Sequence, residues 1–311
     1  MEAVKRKSSL KGRKRKKIIF YSLMMAWPVA QFAVFYLGVN VNSILLAFKE
    51  YRYAIDGATV TGYIWSGFKN FTDSWLTLTG PDLRMAYKNS LLAFAVSVFV
   101  AMPVCLFCAY FVYKKQVGHG FFKVALFVPS VIPSLVMTMI FLYFVEDAIP
   151  GFSRQVLQRE MKGLLWNLDT SLGTLLFYSV WGGFGTTMLM YLGAMNSIDD
   201  SVIESANLDG ARGIKEFWYI VLPLIYPTFV TFFVVNVAGL FANQLSLHAF
   251  YGRNADYSVY TFGYYLFRET AHGRPGDYPL LAATGLIMTV FIVPVTLLAR
   301  YLLEKFGPKC D

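Results

Sequence analysis

Few residues in this chain have the type and spacing that metal or redox chemistry needs. Cys105 and Cys108 are separated by two residues, as in redox motifs, but they lie in an uncharged apolar run where a thiolate is poorly solvated. We therefore interpret them as two small apolar residues of a membrane helix. His119, His248 and His272 are far apart and lack the spacing of metal ligands. The sequence predicts no metal site and no catalytic residue.

The sequence also lacks a nucleotide-binding motif. No glycine is followed directly by lysine, so the phosphate-binding pattern G-x-x-x-x-G-K-[S/T] does not occur. The glycine-rich run 181–185 lies inside an apolar stretch, which favours close helix packing over phosphate binding. We expect no cofactor on this chain.

The composition indicates what must position any functional residue. Of 311 residues, 56% are hydrophobic and 15% are charged, against about 25% charged in ordinary soluble domains. The mean hydropathy is +0.49. Too little polar surface is left to coat a water-soluble globule, which excludes a disordered protein, a disulfide scaffold and a typical cytosolic enzyme. We expect an integral membrane protein with several helices.

Six stretches without Asp, Glu, Lys or Arg are long enough to cross a bilayer, which takes about 20 apolar residues. They are 18–48, 89–113, 124–145, 170–198, 217–252 and 278–299. Backbone in lipid must satisfy its own hydrogen bonds, so each is predicted to be helical. We interpret the fifth as one crossing that ends near its polar residues. The absence of charge from these stretches argues against a proton-driven carrier or a membrane enzyme.

The distribution of basic residues predicts the orientation. Residues 1–17 contain nine Lys or Arg, typical of a cytoplasmic anchor for the first helix. A nucleic-acid arm is the alternative, but an apolar run follows at once, so we expect no nucleic-acid partner. With both termini cytoplasmic, the inner segments hold 17 basic residues and the longer outer segments hold 11. The predicted organisation is a basic cytoplasmic tail, 1–17, and a transmembrane domain, 18–311.

The cytoplasmic segment 199–223, between the fourth and fifth stretches, is the most informative part of the chain. Ser201 and Glu204 have the spacing of a capping box, which predicts a helix start at Ser201. Gly210 suits a left-handed helix end. Pro223 lies near the first turns of the next helix. A short, firmly capped helix in an inner loop suggests a docking element.

This segment resembles the EAA motif of ABC-importer permeases, a pattern of about 20 residues. The matching residues are Glu204, Ala206, Asp209, Gly210, Ala211, Phe217, Ile220, Leu222 and Pro223. Ser205 departs from the usual alanine but is also small. The rest of the chain, about 20–300, resembles the sugar-permease branch more weakly, for example at Asn89 and Ser90. The basic tail lies outside the resemblance.

The resemblance implies an all-α, polytopic membrane protein with six transmembrane helices and the type I ABC-importer permease fold. It implies a second permease subunit, two ATPase subunits that carry ATP and Mg, and an extracytoplasmic solute-binding protein. The location would be a prokaryotic cytoplasmic membrane, in contact with its lipid, and the substrate a carbohydrate such as an oligosaccharide. The same machine for a non-sugar solute and, more remotely, a stand-alone secondary transporter are the alternatives.

The resemblance also implies roles for particular residues. Segment 199–223 would be the coupling loop, in which Glu204 pairs with a basic ATPase residue or only closes the capping box; both roles stay open. The residues expected to contact the ATPase are Glu204, Ser205, Ala206, Asp209, Gly210, Ala211, Leu222 and Pro223. Polar and aromatic residues of the fourth and fifth stretches are candidates for the substrate path or, equally, for helix packing: Trp181, Thr187, Tyr191, Asn236, Asn243 and Gln244.

Overall fold

The computed structural model describes residues 2–52 and 62–308, with side chains from residue 14 onward in these ranges. Two compact units are present and are described separately. One comprises Met1–Ser74 with Arg274–Leu286, and the other comprises Trp75–Gly273 with Ile287–Asp311. The predicted C-terminal boundary of the transmembrane domain, residue 311, lies outside the described residues.

Helices dominate the described residues, as predicted. The α-helices are Glu2–Gln31, Val39–Leu46, Lys69–Thr79, Arg84–Val96, Met102–Tyr113, His119–Val131, Ser134–Tyr143, Ile149–Val156, Leu168–Asn196, Asp200–Leu208, Ile214–Glu216, Leu222–Leu224, Tyr226–Ala238, Leu247–Tyr251, Phe262–His272 and Tyr278–Phe306. π-helical segments join several of them, at Phe32–Gly38, Ser97–Ala101, Phe144–Ala148 and Phe217–Val221. Short 3₁₀ turns lie at Pro81–Leu83 and Tyr257–Val259.

Five of the continuous helices are long and apolar enough to cross a membrane, and a bent pair makes a sixth. We call them spans 1 to 6 in chain order: Lys14–Leu46, Pro81–Tyr113, Ser134–Val156, Leu168–Asn196, the pair Ile214–Leu224 and Tyr226–Ala238, and Tyr278–Phe306. This number equals the predicted six when the bent pair is counted as one span. The helical backbone runs on from span 1 back to Glu2, through the basic tail.

The first unit contains one element that the sequence analysis did not predict. Strands Lys49–Arg52 and Gly62–Trp65 pair antiparallel just after span 1. The Asn70 side chain donates to the backbone carbonyls of Ala47 and Lys49 at 2.8 and 2.6 Å. Asn70 therefore ties the end of span 1, the hairpin and the next helix together.

Span 3 begins ten residues later than predicted. The expected stretch 124–145 is interrupted between His119–Val131 and Ser134, where Ile132 has ψ 135° and Pro133 has ψ 132°. A proline disfavours the helical conformation of the residue before it, which accounts for the break. The helix then continues through Glu146, whose carboxylate accepts a hydrogen bond from the Leu165 amide at 2.6 Å. The charge-free stretch was thus a poor guide to where this helix lies.

Span 5 is a pair of helices with a sharp bend between them, and the second helix ends at Ala238, close to the predicted polar residues. Its two helical pieces meet at Ile225 with an angle of 72°. Pro223 and Pro227 flank the bend, and the ring of Pro227 removes the amide that would continue the helical ladder.

The second unit has two hydrophobic cores. One core lies near the N-terminal end of span 2. This core includes Phe141, Tyr178 and Phe250. The other packs spans 2 and 4 around the start of span 5 and includes Tyr191 and Phe217. This second core positions the segment on which the sequence analysis concentrated.

Candidate functional site

The predicted short helix of the loop is present as Asp200–Leu208, which we call the loop helix. Asp199 caps it: its Oδ1 accepts a hydrogen bond from the Ser201 amide at 2.9 Å. The expected capping box, with Ser201 as the cap and Glu204 reaching back, is therefore wrong. Asp199 is an equally good capping residue and adds a negative charge at the positive end of the helix dipole. Its hydrogen bonds from Ser201 lower the pKa of Asp199 below 3.8.

The outer face of the loop helix is not covered by this chain. Glu204 and Ser205 are exposed, and the side chain of Leu208 is 89% exposed. Glu204 forms no ion pair within the described residues. Ala206 is the buried residue of this helix. The sequence analysis did not predict Leu208 as a contact residue. The structure shows that this exposed leucine extends the predicted contact surface.

The loop helix ends as predicted, at Gly210, which has φ +80°. The Gly210 amide donates to the Asn207 carbonyl at 3.2 Å, and the Ala211 amide donates to the Ala206 carbonyl at 2.9 Å. This pair of bonds is the Schellman arrangement of helix ends. A Cβ on Gly210 would meet open space, so the requirement for glycine comes from the backbone and not from crowding.

A second glycine, which the sequence analysis did not single out, completes the turn. Gly213 has φ +60° and ψ −121°, and Ile214 begins span 5 directly after it. The tyrosine hydroxyl of Tyr110, on span 2, donates to the Gly213 carbonyl at 2.7 Å. The turn between the loop helix and span 5 is thus shaped by two glycines and held by span 2.

A buried ion pair lies at the start of span 5. The carboxylate of Glu216 is 1% exposed, and both of its oxygens lie 3.0 Å from the Lys114 Nζ. Phe217, the next residue, is fully buried and packs against Phe107 and Tyr110, with ring centroids 4.9 and 5.0 Å apart. Glu216 and Lys114 were not candidates from sequence. The sequence signal that could have pointed to Glu216 is its place directly before Phe217, an aromatic residue of the motif.

The remaining motif residues lie on span 5 or between the loop helix and span 5. Leu222 is half-buried against the core around Phe217, and Pro223, also half-buried, precedes the bend. Asp209 is exposed and Ala211 is half-buried. The motif therefore divides into an exposed set on the loop helix and a packed set that fixes the helix to the bundle.

A small cavity of about 120 Å³ lies between spans 2, 4 and 5. Its polar lining includes Ser97, Ser179, Thr187 and Asn236. Asn236 Oδ1 accepts a hydrogen bond from Ser97 Oγ at 2.5 Å, and Asn236 Nδ2 donates to the Phe232 carbonyl at 2.9 Å. A second cavity of about 310 Å³ is lined by Ser97, Asn236 and Asn243.

The candidate path residues from the sequence are thus only partly brought together. Asn236 lines both cavities, Thr187 lines the first and Asn243 the second. Trp181 packs instead against Phe141, with ring centroids 5.9 Å apart. Ser97 and Ser179 were missed because a serine in a long apolar helix does not show from sequence which neighbour it faces.

Two further candidates lie away from the lining of these cavities. Tyr191 is fully buried, and its ring lies 5.0 Å from that of Phe232. Its hydroxyl has no hydrogen-bond partner within the described residues. Gln244 is half-buried. Its backbone carbonyl accepts a hydrogen bond from the Leu247 amide at 2.9 Å, in the turn beyond span 5.

Comparison with known proteins identifies relatives over nearly the whole chain. The permease protein YteP of a polygalacturonan/rhamnogalacturonan transport system of Bacillus subtilis is 22% identical over 309 residues, covering 96% of this chain and 94% of that one. The arabinooligosaccharide permease AraP of the same species is 24% identical and covers 93% and 91%. The sn-glycerol-3-phosphate permease UgpA of Agrobacterium fabrum is 27% identical and covers 77% and 80%.

The fold matches a solved structure as well. A chain of a bacterial ABC transporter involved in the import of the acidic polysaccharide alginate superposes with a TM-score of 0.75 at 18% identity, over 95% of this chain and 98% of that one. The expected all-α permease fold is confirmed. The family model described as the binding-protein-dependent transport system inner membrane component matches residues 93–308. This chain belongs to that family of transport permeases.

Proposed function

We propose that this chain is a permease subunit of an ATP-driven, binding-protein-dependent importer whose substrate is a saccharide. Three of the similar proteins carry names that specify polysaccharides or oligosaccharides: polygalacturonan/rhamnogalacturonan, arabinooligosaccharides and alginate. The observation that most supports a coupled machine is the loop helix, which is capped at both ends and anchored to the bundle while its outer face stays exposed. Such a helix suits docking to a partner.

In this proposal the partner is one of two ATPase subunits, which bind ATP and Mg. Glu204, Leu208 and Asp209 supply the exposed contacts, while Ala206 and Ala211 keep the helix close to the bundle. A second permease subunit completes the path, and a solute-binding protein delivers the substrate from outside. An alginate importer has been solved with a substrate-bound periplasmic protein, which supports that partner.

The proposed location is the cytoplasmic membrane of a prokaryote, with both termini and the loop helix on the cytoplasmic side. Six spans are consistent with termini on one side. A reporter that is active only in the cytoplasm, fused to the C-terminus, tests this orientation. An inactive reporter would contradict it.

Purification in mild detergent tests the partners. We expect an ATPase chain and a second permease chain to co-purify, and a solitary chain that transports on its own would refute the proposal. Uptake of labelled oligosaccharides then tests the substrate class. Because UgpA is named for sn-glycerol-3-phosphate, that solute is the competing substrate in the same assay.

A further inference from the structure

The loop helix is joined to span 2 by contacts that sequence motifs do not indicate. Glu216 is buried, and burial of a carboxylate is costly unless a cation and hydrogen bonds compensate it. Lys114 supplies both, with its Nζ 3.0 Å from each oxygen. The two residues are 102 positions apart in the chain, so this pair connects span 2 to the start of span 5.

Span 2 holds the same segment at further points. Phe107, Tyr110 and Lys114 follow one another at spacings of three and four, so they share one face of the helix. That face contacts the Phe217 ring, the Gly213 carbonyl and the Glu216 carboxylate in turn. The segment that follows the loop helix is therefore fixed to one side of span 2.

Span 5 itself is poorly suited to pass a displacement along its length. Its first piece, Ile214–Leu224, is separated from Tyr226–Ala238 by the 72° bend. Span 2, in contrast, is one continuous span from Pro81 to Tyr113 and includes a π-helical segment at Ser97–Ala101. Ser97, which lines both cavities, lies 17 residues before Lys114, or about 26 Å along a helix of 1.5 Å rise.

We propose that the Lys114–Glu216 ion pair is a positioning contact that transmits movement of the loop helix to span 2, and through span 2 to the cavity beside Ser97. This inference rests on the proposed function and adds a route for the coupling. Displacement of the docked loop helix moves Ile214–Leu224, and the ion pair makes span 2 follow. Without the charge pair, span 5 moves while span 2 lags.

The test uses the full complex of permeases, ATPases and binding protein in vesicles. Glu216→Gln keeps the shape of the side chain and removes its charge. We expect normal complex yield and basal ATP hydrolysis within about twofold of the original, but about a tenfold loss of uptake and of the ATPase stimulation by loaded binding protein, as expected for a lost coupling of this size. The exchange Lys114→Glu/Glu216→Lys restores both to within about threefold, because the pair is re-formed.

Glu304→Gln is the matched control, since it removes the carboxylate of an exposed ion pair with Arg300. We expect it to leave uptake unchanged. If Glu216→Gln behaves like this control, the transmission role is overturned. It is also overturned if Glu216→Gln lowers the yield of the complex and the charge exchange fails to restore stimulation, because the pair then serves folding alone. If the unmutated complex neither hydrolyses ATP nor takes up saccharide, the proposed function fails with it.

Discussion

Ser97 Oγ lies 2.5 Å from Asn236 Oδ1 and joins span 2 to span 5 beside the cavity between them. Hydrogen bonds between membrane helices contribute about 0.6 kcal/mol on average and up to about 1.7 kcal/mol. A pair of this kind both packs the helices and places an amide and a hydroxyl at the cavity wall. These two roles are separable by substitution.

Asn236→Leu should impair uptake more than assembly. We expect the variant to insert and to assemble, because a leucine fits a membrane helix, while the KM for the transported saccharide rises about tenfold on loss of a well-placed polar contact worth about 1.4 kcal/mol. Uptake kinetics measure the change. Thr231→Val is the control, since it removes an exposed hydroxyl that donates to the Pro227 carbonyl on the same span. Equal effects of the two variants would assign Asn236 to packing.

Substitutions of Gly210 should be tolerated better when the new residue adopts a left-handed backbone conformation more readily. At φ +80°, alanine costs about 1–2 kcal/mol, whereas asparagine costs less. We expect Gly210→Asn to retain most uptake and Gly210→Ala less. Gly210→Asp should insert into the membrane but lose uptake and ATPase association, because it adds a second carboxylate beside the exposed Asp209 at the negative end of the helix dipole.

The series for Gly210 has a control within the chain. Gly193 lies in span 4 with no non-neighbouring atom within 4 Å of a built Cβ, so Gly193→Ala should leave uptake unchanged. Full uptake by Gly210→Asp would show that the helix end tolerates other conformations and does not dock.

Substitutions on the exposed face of the loop helix should separate docking from stability. Leu208→Ser and Glu204→Lys change side chains that this chain does not cover. The free energy of unfolding of the chain should therefore change by less than about 0.5 kcal/mol. Co-purification with the ATPase should fall strongly, since an exposed leucine contributes only when a partner buries it. Lys215→Gln, also exposed, is the control. Unaltered co-purification in all three would place the contact elsewhere.

The cap at Asp199 predicts that the stability of the loop helix depends on pH. Hydrogen bonds from Ser201 lower the pKa of Asp199 below its ordinary 3.8, so the charged form is favoured in the folded helix. The sign of the shift means that this stabilisation is present above pH 3.8 and is lost as the pH falls through the lowered pKa. A spin label at position 208 should become more mobile in that range.

Asn is also a good helix cap but does not titrate there, so Asp199→Asn should abolish the acid-dependent part of this mobility. Asp199→Ala should leave the label mobile at every pH. If the original chain and Asp199→Asn respond to acid alike, another group is responsible for the change.

Much of this protein follows from local sequence. Backbone in lipid has no water to bind, so six charge-free apolar stretches already predict six helical crossings, although not the bounds of each. Gly210 ends its helix because only a residue without a side chain adopts that conformation cheaply. The motif around Glu204 and Gly210 likewise identified the permease family before any fold was known.

Competition between neighbours was harder to predict. Asp199 and Ser201 are both good caps, and their spacing alone favoured Ser201, whereas the folded chain uses Asp199. Apolar content marked the third span but not its start, which the backbone preference around Pro133 decides.

Tertiary structure alone decided the contacts that connect distant segments. Lys114 and Glu216 are 102 residues apart, and Ser97 and Asn236 are 139 apart. Which face of an almost wholly apolar helix points inward is not encoded by its own periodicity, because lipid and core are both apolar. Only the packing of spans 2, 4 and 5 against one another determines that these polar side chains meet.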